Sequence, residues 1–390
     1  MRKELEYIPA TLKVVEYVSV HYGCPKCKTD EEKPNIIHAP VPPALLRSYA
    51  SPSIVAWVIY SKYVNGMPLY RQEKDWLQYG FELNRATMAN WVIECTDKYL
   101  RVLYEFYHRL LLSREFAMAD ESPIQVLKEE GREATAKSYM WLFRSGEDDT
   151  PPIVLYKYAS TRSGDVAKEF LKGFNGYLMA DGYTGYNKVQ DIKRCCCFAH
   201  IRRYFFDAIP KGKNRDISCP AVQGVEYCDK LFAYERHFKE KGYSYKQIKN
   251  GRLKKEKPVI EAFLSWLEKQ KPINGSKFAT AVTYALNRKE HMMTYLEDGR
   301  CSLSNNLSEQ KMKSYVIGRK GWLFSDSPEG AEASAISYSI AETALANRLN
   351  VYKYITYVLE KRPTEEMADS ELEKLLPWND KVFEMCKIER

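Results

Sequence analysis

The spacing of apolar positions changes several times along the chain, and each change predicts a different architecture. From Ala44 to about His108 the apolar residues recur at helical spacing. The stretch LYRQEKDWLQYGFELNRATMANWVIE predicts a helix, a turn at Gly80 and a second helix from about Arg85. Tyr70, Leu77, Leu83, Met88, Trp91 and Val92 are its expected core. This is the outline of a helix-turn-helix, whose second helix can enter a major groove. After Arg114 the runs shorten. EFAMAD, SYMWLFRSG and PIVLYKYAS are rich in aromatic and β-branched residues and bounded by turn signals such as SGEDDTPP, which predicts three consecutive strands. In SGDVAKEFLKGF, Val166 and Phe170, and Ala167 and Leu171, have helical spacing. NGYLMAD predicts a fourth strand ending at Asp181, and a helix follows with Cys197, Ile201, Tyr204, Phe205 and Ala208 on one face. Three strands, helix, strand, helix is the order of an α/β domain with a mixed sheet and flanking helices.

From about 211 to 295 the chain is charged and helix-prone, with breakers at Pro220, Pro258 and Pro272 and a basic connector, NGRLKKEKP. This predicts a helical insertion. GAEASAISYSIAETALANRLN, with Ile336 and Ile340 on one face, predicts a closely packed core helix, and the acidic TEEMADSELEKLLPWND a docking tail. The expected organisation is a leader at 1–38, a helical, helix-turn-helix-like region at 39–110, an α/β domain built from 114–210 and 296–350, the insertion at 211–295, and a C-terminal helix and tail at 351–390. Pro40, Pro42 and Pro43 form a stiff linker after the leader.

Composition narrows the function classes. A chain of 390 residues with 45% hydrophobic and 28% charged residues reads as a globular protein of two or three domains. The longest clean apolar run, SIVAWVIY, is too short for a membrane span, and MRKELEYIPA lacks the apolar core of a signal peptide, so a cytoplasmic location is expected. The net charge of +8 permits a polyanionic partner. Basic and aromatic residues interleave in HIRRYFFDA, KSYVIGRKGWLF and LYRQEKDWLQY, which suits phosphate contact with stacking, although surface cations lying over aromatic edges give the same pattern. Of the ten Cys, the consecutive Cys195, Cys196 and Cys197 read as reduced, partly buried thiols. Cys24 and Cys27, in CPKC, have the spacing of half a Zn2+ site, with His21 and His38 as local candidates to complete it.

Three carboxylates stand out by context. Asp120 follows the apolar FAMA and Asp181 follows YLMA, and an Asp closing a buried strand usually caps a turn or serves chemistry. Glu309, in SNNLSEQKMKSYVIGRKGWLF, has the spacing of a capping box with Asn306 and of a surface ion pair with Lys313. On a helical wheel it also lies near Met312 and Val316, at the border of the apolar stripe, which turns it toward the protein body. Two strand Asp and one helix Glu make an oxygen-rich cage suited to Mg2+ or Mn2+, and two such ions serve phosphodiester chemistry. Lys311, Lys313, Arg319 and Lys320 would then hold phosphates beside it.

The series MADESPIQVL, LMADGYTGYN, CFAHIRRYFFDA and SNNLSEQKMKSYVIGRKGWLFSDSPEGAEASAISYSIAETALANRLNVYKYITYVL closely resembles the transposases of the insertion sequence 66 family. VHYGCPKC, PLYRQEKDWLQYG and LLPW extend the likeness from about Leu12 to Asn379. The resemblance implies a ribonuclease-H-like catalytic domain and cutting and joining of DNA at transposon ends by a DDE triad, with a divalent metal. Carried over by motif, the triad is Asp120, Asp181 and Glu309, and the basic run after Glu309, with Arg202, Arg203 and Arg85, contacts DNA. The expected partners are transposon-end inverted-repeat DNA, target DNA, a second copy of the chain and accessory proteins of the element. In the family the CPKC knuckle is the second half of a zinc-binding domain, so the first half is expected to be missing here. Ser304 stands where an Asp is usual. His200, at C-x-x-H spacing from Cys197, invites a metal or acid role but reads equally as a phosphate contact or a packed structural residue. An end-binding protein without catalysis and a ribonuclease-H-type nuclease stay open as alternatives.

Overall fold

In the computed structural model, which describes residues 11–23, 36–212 and 216–389, the runs after Arg114 pair into one mixed sheet. A separate exposed ribbon, β1 (His21–Gly23) with β2 (Ile36–His38), precedes it; Cys24 and Cys27 lie outside the described residues. Helices α1 (Pro52–Tyr63), α2 (Leu69–Gln78), α3 (Arg85–Cys95) and α4 (Arg101–Leu112) come next. Ser51 caps α1, with Pro52 at its first turn, and the Asn84 side chain accepts the Thr87 N–H at 2.8 Å to start α3. Gly80, at φ +73°, supplies the left-handed residue that the turn between α2 and α3 requires. The core of this pair differs from the expected one. Leu83, Met88, Trp91 and Val92 are buried, but Tyr70 and Leu77 are 39% and 51% exposed. Trp76 and Gln72 take their place, the Gln72 amide donating to the carbonyls of Val58 and Met67.

The sheet begins with three antiparallel strands, β3 (Phe116–Val126), β4 (Lys137–Ser145) and β5 (Val154–Ala159). After α5 (Gly164–Phe170), strands β6 (Tyr177–Ala180) and β7 (Lys193–Cys196) extend it in parallel on the other side of β3, giving the order β5-β4-β3-β6-β7. This mixed sheet with flanking helices has the form expected of a ribonuclease-H-like fold. Two strand expectations need correction. β7 is a fifth strand, made from KRCC, a segment too short to show a period; its pairing of Cys195 with Met179 defines it. β3 does not end at Asp120 but runs on to Val126, through Pro123. Its pairing with β6 stops at Met118, and β8 (Phe324–Ser325) takes it up again at Gln125, so Pro123 lies where no neighbour on that side needs an N–H.

Helix α6 (Phe198–Asp207) follows β7 with Phe198, Ile201 and Phe205 buried; Tyr204 is more exposed than expected and stacks on Tyr284, centroids 4.0 Å apart. Helices α7 (Pro220–Glu240), α8 (Tyr245–Gly251), α9 (Lys257–Glu268) and α10 (Lys277–Leu286) occupy the charged stretch before α11 (Asn306–Trp322). One face of the sheet, with Phe116, Met118, Met179 and Cys195, packs on α6, α7, α9 and α10. The opposite face, with Ala117, Ala119, Leu178 and Ala180, packs on the N-terminal helices and on α12 (Pro328–Ala346). α12 is buried along most of its length, and its hydroxyls reach the free edge of β5: Ser339 accepts the Tyr156 N–H at 2.7 Å and Thr343 accepts the Val154 N–H at 3.0 Å. The sheet edge is thereby covered. The C-terminal helix α13 (Val351–Lys361) is followed by the tail, which folds back with α14 (Asp369–Leu372) and α15 (Asp380–Cys386), burying Leu372, Leu375, Leu376 and Val382.

Candidate active site

The register of β3 against β6 sets two carboxylates at one level. Met118 faces Met179, so two residues further along come Asp120 and Asp181, on neighbouring strand paths about 4.8 Å apart. Side chains alternate along a strand, so Asp120 shares the face of Met118, toward α6, whereas Glu121 takes the opposite face. There Glu121 is held by Arg162 at 2.5 Å and by the Tyr186 hydroxyl at 2.5 Å. Asp120 accepts the Glu121 N–H at 2.9 Å, and Asp181, one residue past β6, accepts the Tyr183 N–H at 2.8 Å.

Glu309 arrives from α11. Asn305, fully buried, fixes the start of that helix: its side-chain amide donates to the Ala119 carbonyl at 2.8 Å, on the stretch of β3 that β6 leaves open. Its backbone N–H donates to the Cys197 sulfur at 3.2 Å. The first turn of α11 is therefore tied to both β3 and α6, one residue before Asp120. Glu309 Oε1 faces His200 Nδ1 at 3.7 Å, and Oε2 faces Arg203 Nη2 at 3.3 Å. Neither local role suggested by spacing is taken up. The N-cap of α11 is Asn305, which makes no side-chain cap bond, and Glu309 pairs with His200 and Arg203 rather than Lys313.

The electrostatics of this corner are those of crowded anions. Burial pushes the Asp120 carboxyl up to about 8, and the charges of Glu121, Asp181 and Glu309 add to it. Burial also lowers the proton affinity of His200, against the pull of Glu309 and Asp181. Glu309 Oε1 and Asn305 Oδ1 are buried without a hydrogen-bond partner. A buried, unpaired Glu309 oxygen beside the like charges of Asp120 and Asp181 fits a hard divalent cation, which would relieve the repulsion. Among the described residues, a tighter cluster within 4.8 Å joins Glu309 to Cys197 and His200, and neither Asp belongs to it.

Two arginines that sequence reasoning missed hold the loop of Asp181. Arg194 donates to the carbonyls of Asp181 and Tyr183 at 2.8 and 2.9 Å, and Arg288 donates to the Gly182 carbonyl at 2.6 Å while lying 3.5 Å over the Tyr284 ring. A Cβ at position 182 would meet the Arg288 guanidinium at 1.8 Å, so glycine there lets the arginine close. Arg288 is more than a hundred residues away along the chain, and no local pattern marks it.

The basic residues are distributed unevenly. Arg85 is exposed at the start of α3, and Lys313 and Lys320 are exposed on α11, with Arg319 half-buried between them. Arg202 is bound to Asp229 at 2.5 Å, and Arg203 leans on Glu309 from an exposed position. Lys311 departs from the expectation of a phosphate contact: its ammonium turns inward to Glu342 at 2.7 Å, because the apolar stripe of α11 carries it toward α12.

Comparison with known proteins identifies the family of the chain. The model of the transposase IS66 family matches residues 47–333, and that of the IS66 C-terminal element matches residues 339–378. The chain is 27% identical over 395 residues to the uncharacterized protein y4hP of Sinorhizobium fredii, covering 96% of this chain and 69% of that one. It is 29% identical over 367 residues to the uncharacterized protein y4qI of the same organism (89% and 66%), and 28% identical over 394 residues to y4jD (97% and 75%). It thus spans about two thirds to three quarters of the length of these relatives. With most of its length matched by both parts of one family's description, the chain belongs to the IS66 family of transposases.

Proposed function

We propose that the protein is a DNA transposase that cuts at the ends of its insertion sequence and joins the freed 3′ ends to target DNA, with Asp120, Asp181 and Glu309 as its acidic triad. The observation that carries this reading is the convergence of a β3 carboxylate, a carboxylate just past β6 and one on the first turn of α11. Mg2+ or Mn2+ held by these three carboxylates would supply Lewis-acid activation of the attacking oxygen and steady the leaving 3′ oxygen. Asn305 positions Glu309 by anchoring α11 to β3, and Arg194 and Arg288 position Asp181 by holding its loop. Arg203 pairs with the outer oxygen of Glu309 at 3.3 Å. Lys313, Arg319 and Lys320, with the exposed Arg85 of α3 and with Arg202 once it exchanges Asp229 for phosphate, would bind end and target DNA. Pairing of two ends requires at least a dimer, and accessory proteins of the element would join as partners of that assembly.

The test uses DNA carrying candidate element ends, purified protein and Mg2+ or Mn2+, with Glu309→Gln in parallel. Cleaved and joined products are expected from the wild type alone, with DNA binding retained by both. Binding of equal strength without cutting by either protein would leave an end-binding protein and overturn the catalytic reading. Cutting without joining under every end configuration would point instead to a nuclease.

A further inference from the structure

Next to the three carboxylates lies a donor set of different chemistry. The sulfur of Cys197, a ring nitrogen of His200 and a carboxylate oxygen of Glu309 all lie within 4.8 Å of one another. A tetrahedral ion with bonds of about 2.0–2.3 Å holds such atoms roughly 3.3–3.6 Å apart, so closing the set asks for shifts of about an ångström. Glu309 Oε1 and His200 Nδ1 are already 3.7 Å apart, and both are buried atoms without a hydrogen-bond partner. Buried polar atoms left unpaired in this way are costly unless something binds them.

The sulfur is held in place as well. Cys197, one residue past β7, is the N-cap of α6, and His200 lies in the first turn of that helix, which puts them at C-x-x-H spacing. The Asn305 N–H donates to the sulfur at 3.2 Å, and the backbone N–H groups of Ala199 and His200 are directed at it too. These N–H donors fix the position of the sulfur, while burial pushes the free thiol up, so the thiolate forms as a metal displaces its proton. Cys197 is buried, whereas the His200 and Glu309 side chains keep 18% and 28% of their surface exposed, so an ion can enter from their side.

We propose that Cys197, His200 and Glu309 form a binding site for a borderline-soft divalent cation of the Zn2+ class, with its fourth position open toward solvent. Sulfur and imidazole select such an ion over Mg2+, which prefers an all-oxygen shell. On binding, the thiol proton leaves to solvent and the sulfur donates as thiolate. This ion would compete with the acidic triad for the Glu309 carboxylate. Occupancy would therefore withdraw it from the triad and inhibit Mg2+-supported cleavage. That consequence rests on the proposed transposase reading; the binding itself does not.

Co2+ is the probe, added to the full chain carrying Cys24→Ser and Cys27→Ser so that the other cysteine pair cannot contribute. Stoichiometric Co2+ should produce a sulfur-to-cobalt charge-transfer absorption together with visible bands of tetrahedral intensity. Cys197→Ser should abolish the charge-transfer band, and Cys196→Ser, next to it in the chain, should leave the band intact. His200→Ala should weaken Co2+ binding at least by the roughly tenfold that even an outer-shell partner is worth. Co2+ bound without the charge-transfer band, or a band that survives Cys197→Ser, would overturn the site. If Cys197→Ser does not melt cooperatively, His200→Ala decides, and unchanged Co2+ affinity then overturns it. A protein that binds Co2+ through Cys197 but never cuts DNA would refute the transposase reading and leave the site standing.

Discussion

At the residue scale, two positions make sharp predictions. Glu256 is fully buried beside Glu235, and accepts a hydrogen bond from the Tyr295 hydroxyl at 2.6 Å. Burial, and then the charge of Glu235, push its carboxyl up to about 8 from an ordinary value of 4.5. A raised carboxylate stabilises the fold fully below the unfolded value, and that contribution is lost as pH rises through the folded one. Glu256→Gln mimics the protonated form. The variant should match the wild type near pH 4.5 and become progressively more stable than it up to pH 8, by on the order of 3 kcal/mol. Thermal melts across that range check it, and a constant difference in Tm would refute it. Gly182→Ala acts differently. Its added methyl collides with the Arg288 guanidinium and should move the loop of Asp181. DNA cleavage should fall at least about tenfold with DNA binding kept, since small misplacements of reacting groups are costly.

At the scale of the element, α11 separates two kinds of lysine that its sequence does not distinguish. Lys311 is ion-paired to Glu342, whose side chain is only 5% exposed, while Lys313 is exposed two positions on. Removing one partner of a buried pair strands the other charge, so Lys311→Met should cost about 3–5 kcal/mol in a denaturant melt. Lys313→Ala should leave stability within about 0.5 kcal/mol. It should weaken DNA binding for all sequences alike and lower the salt slope of the binding constant by about one. Equal effects of the two substitutions on stability would show that Lys311 is not held inside. The same helix shows why local reading has limits. Spacing offered Glu309 a partner in Lys313, but the first turn is fixed by Asn305 to β3, and that turns Glu309 toward His200 and Arg203 instead.

At the scale of the molecule, the sheet carries apolar packing on both faces, and the C-terminal tail closes the core on one side by packing on α4 and α13. Leu372, Leu375, Leu376 and Val382 are each at most 5% exposed, Arg109 pairs with Asp369, and the Tyr354 hydroxyl donates to the Leu375 carbonyl at 2.9 Å. Burying one such side chain is worth roughly 1.5–3 kcal/mol, and the four together compare with the entire stability of about 5–15 kcal/mol of a typical domain. A chain stopped after Lys361 should therefore fail to fold, seen as loss of soluble protein or of a cooperative melt. A truncated chain with an unchanged Tm would contradict this. No helix among the described residues is long and apolar enough to cross a membrane.

The sequence by itself determined the kinds of element and much of their order: aromatic and β-branched runs became β3, β4, β5 and β6, and the Gly80 turn and the caps at Ser51 and Asn84 divide the N-terminal helices as their residue types require. It also marked Asp120, Asp181 and Glu309 by their apolar surroundings, because a carboxylate beside a buried run is visible in the local pattern. Tertiary structure decided which elements meet. KRCC became β7 only by pairing with β6, Lys311 turned inward only because Glu342 waits on α12, and Arg288 reached Gly182 across more than a hundred residues. Periodicity reports which side of an element is apolar; register, the direction of a buried charge and the contacts of a loop depend on partners distant in the chain, which no local pattern specifies.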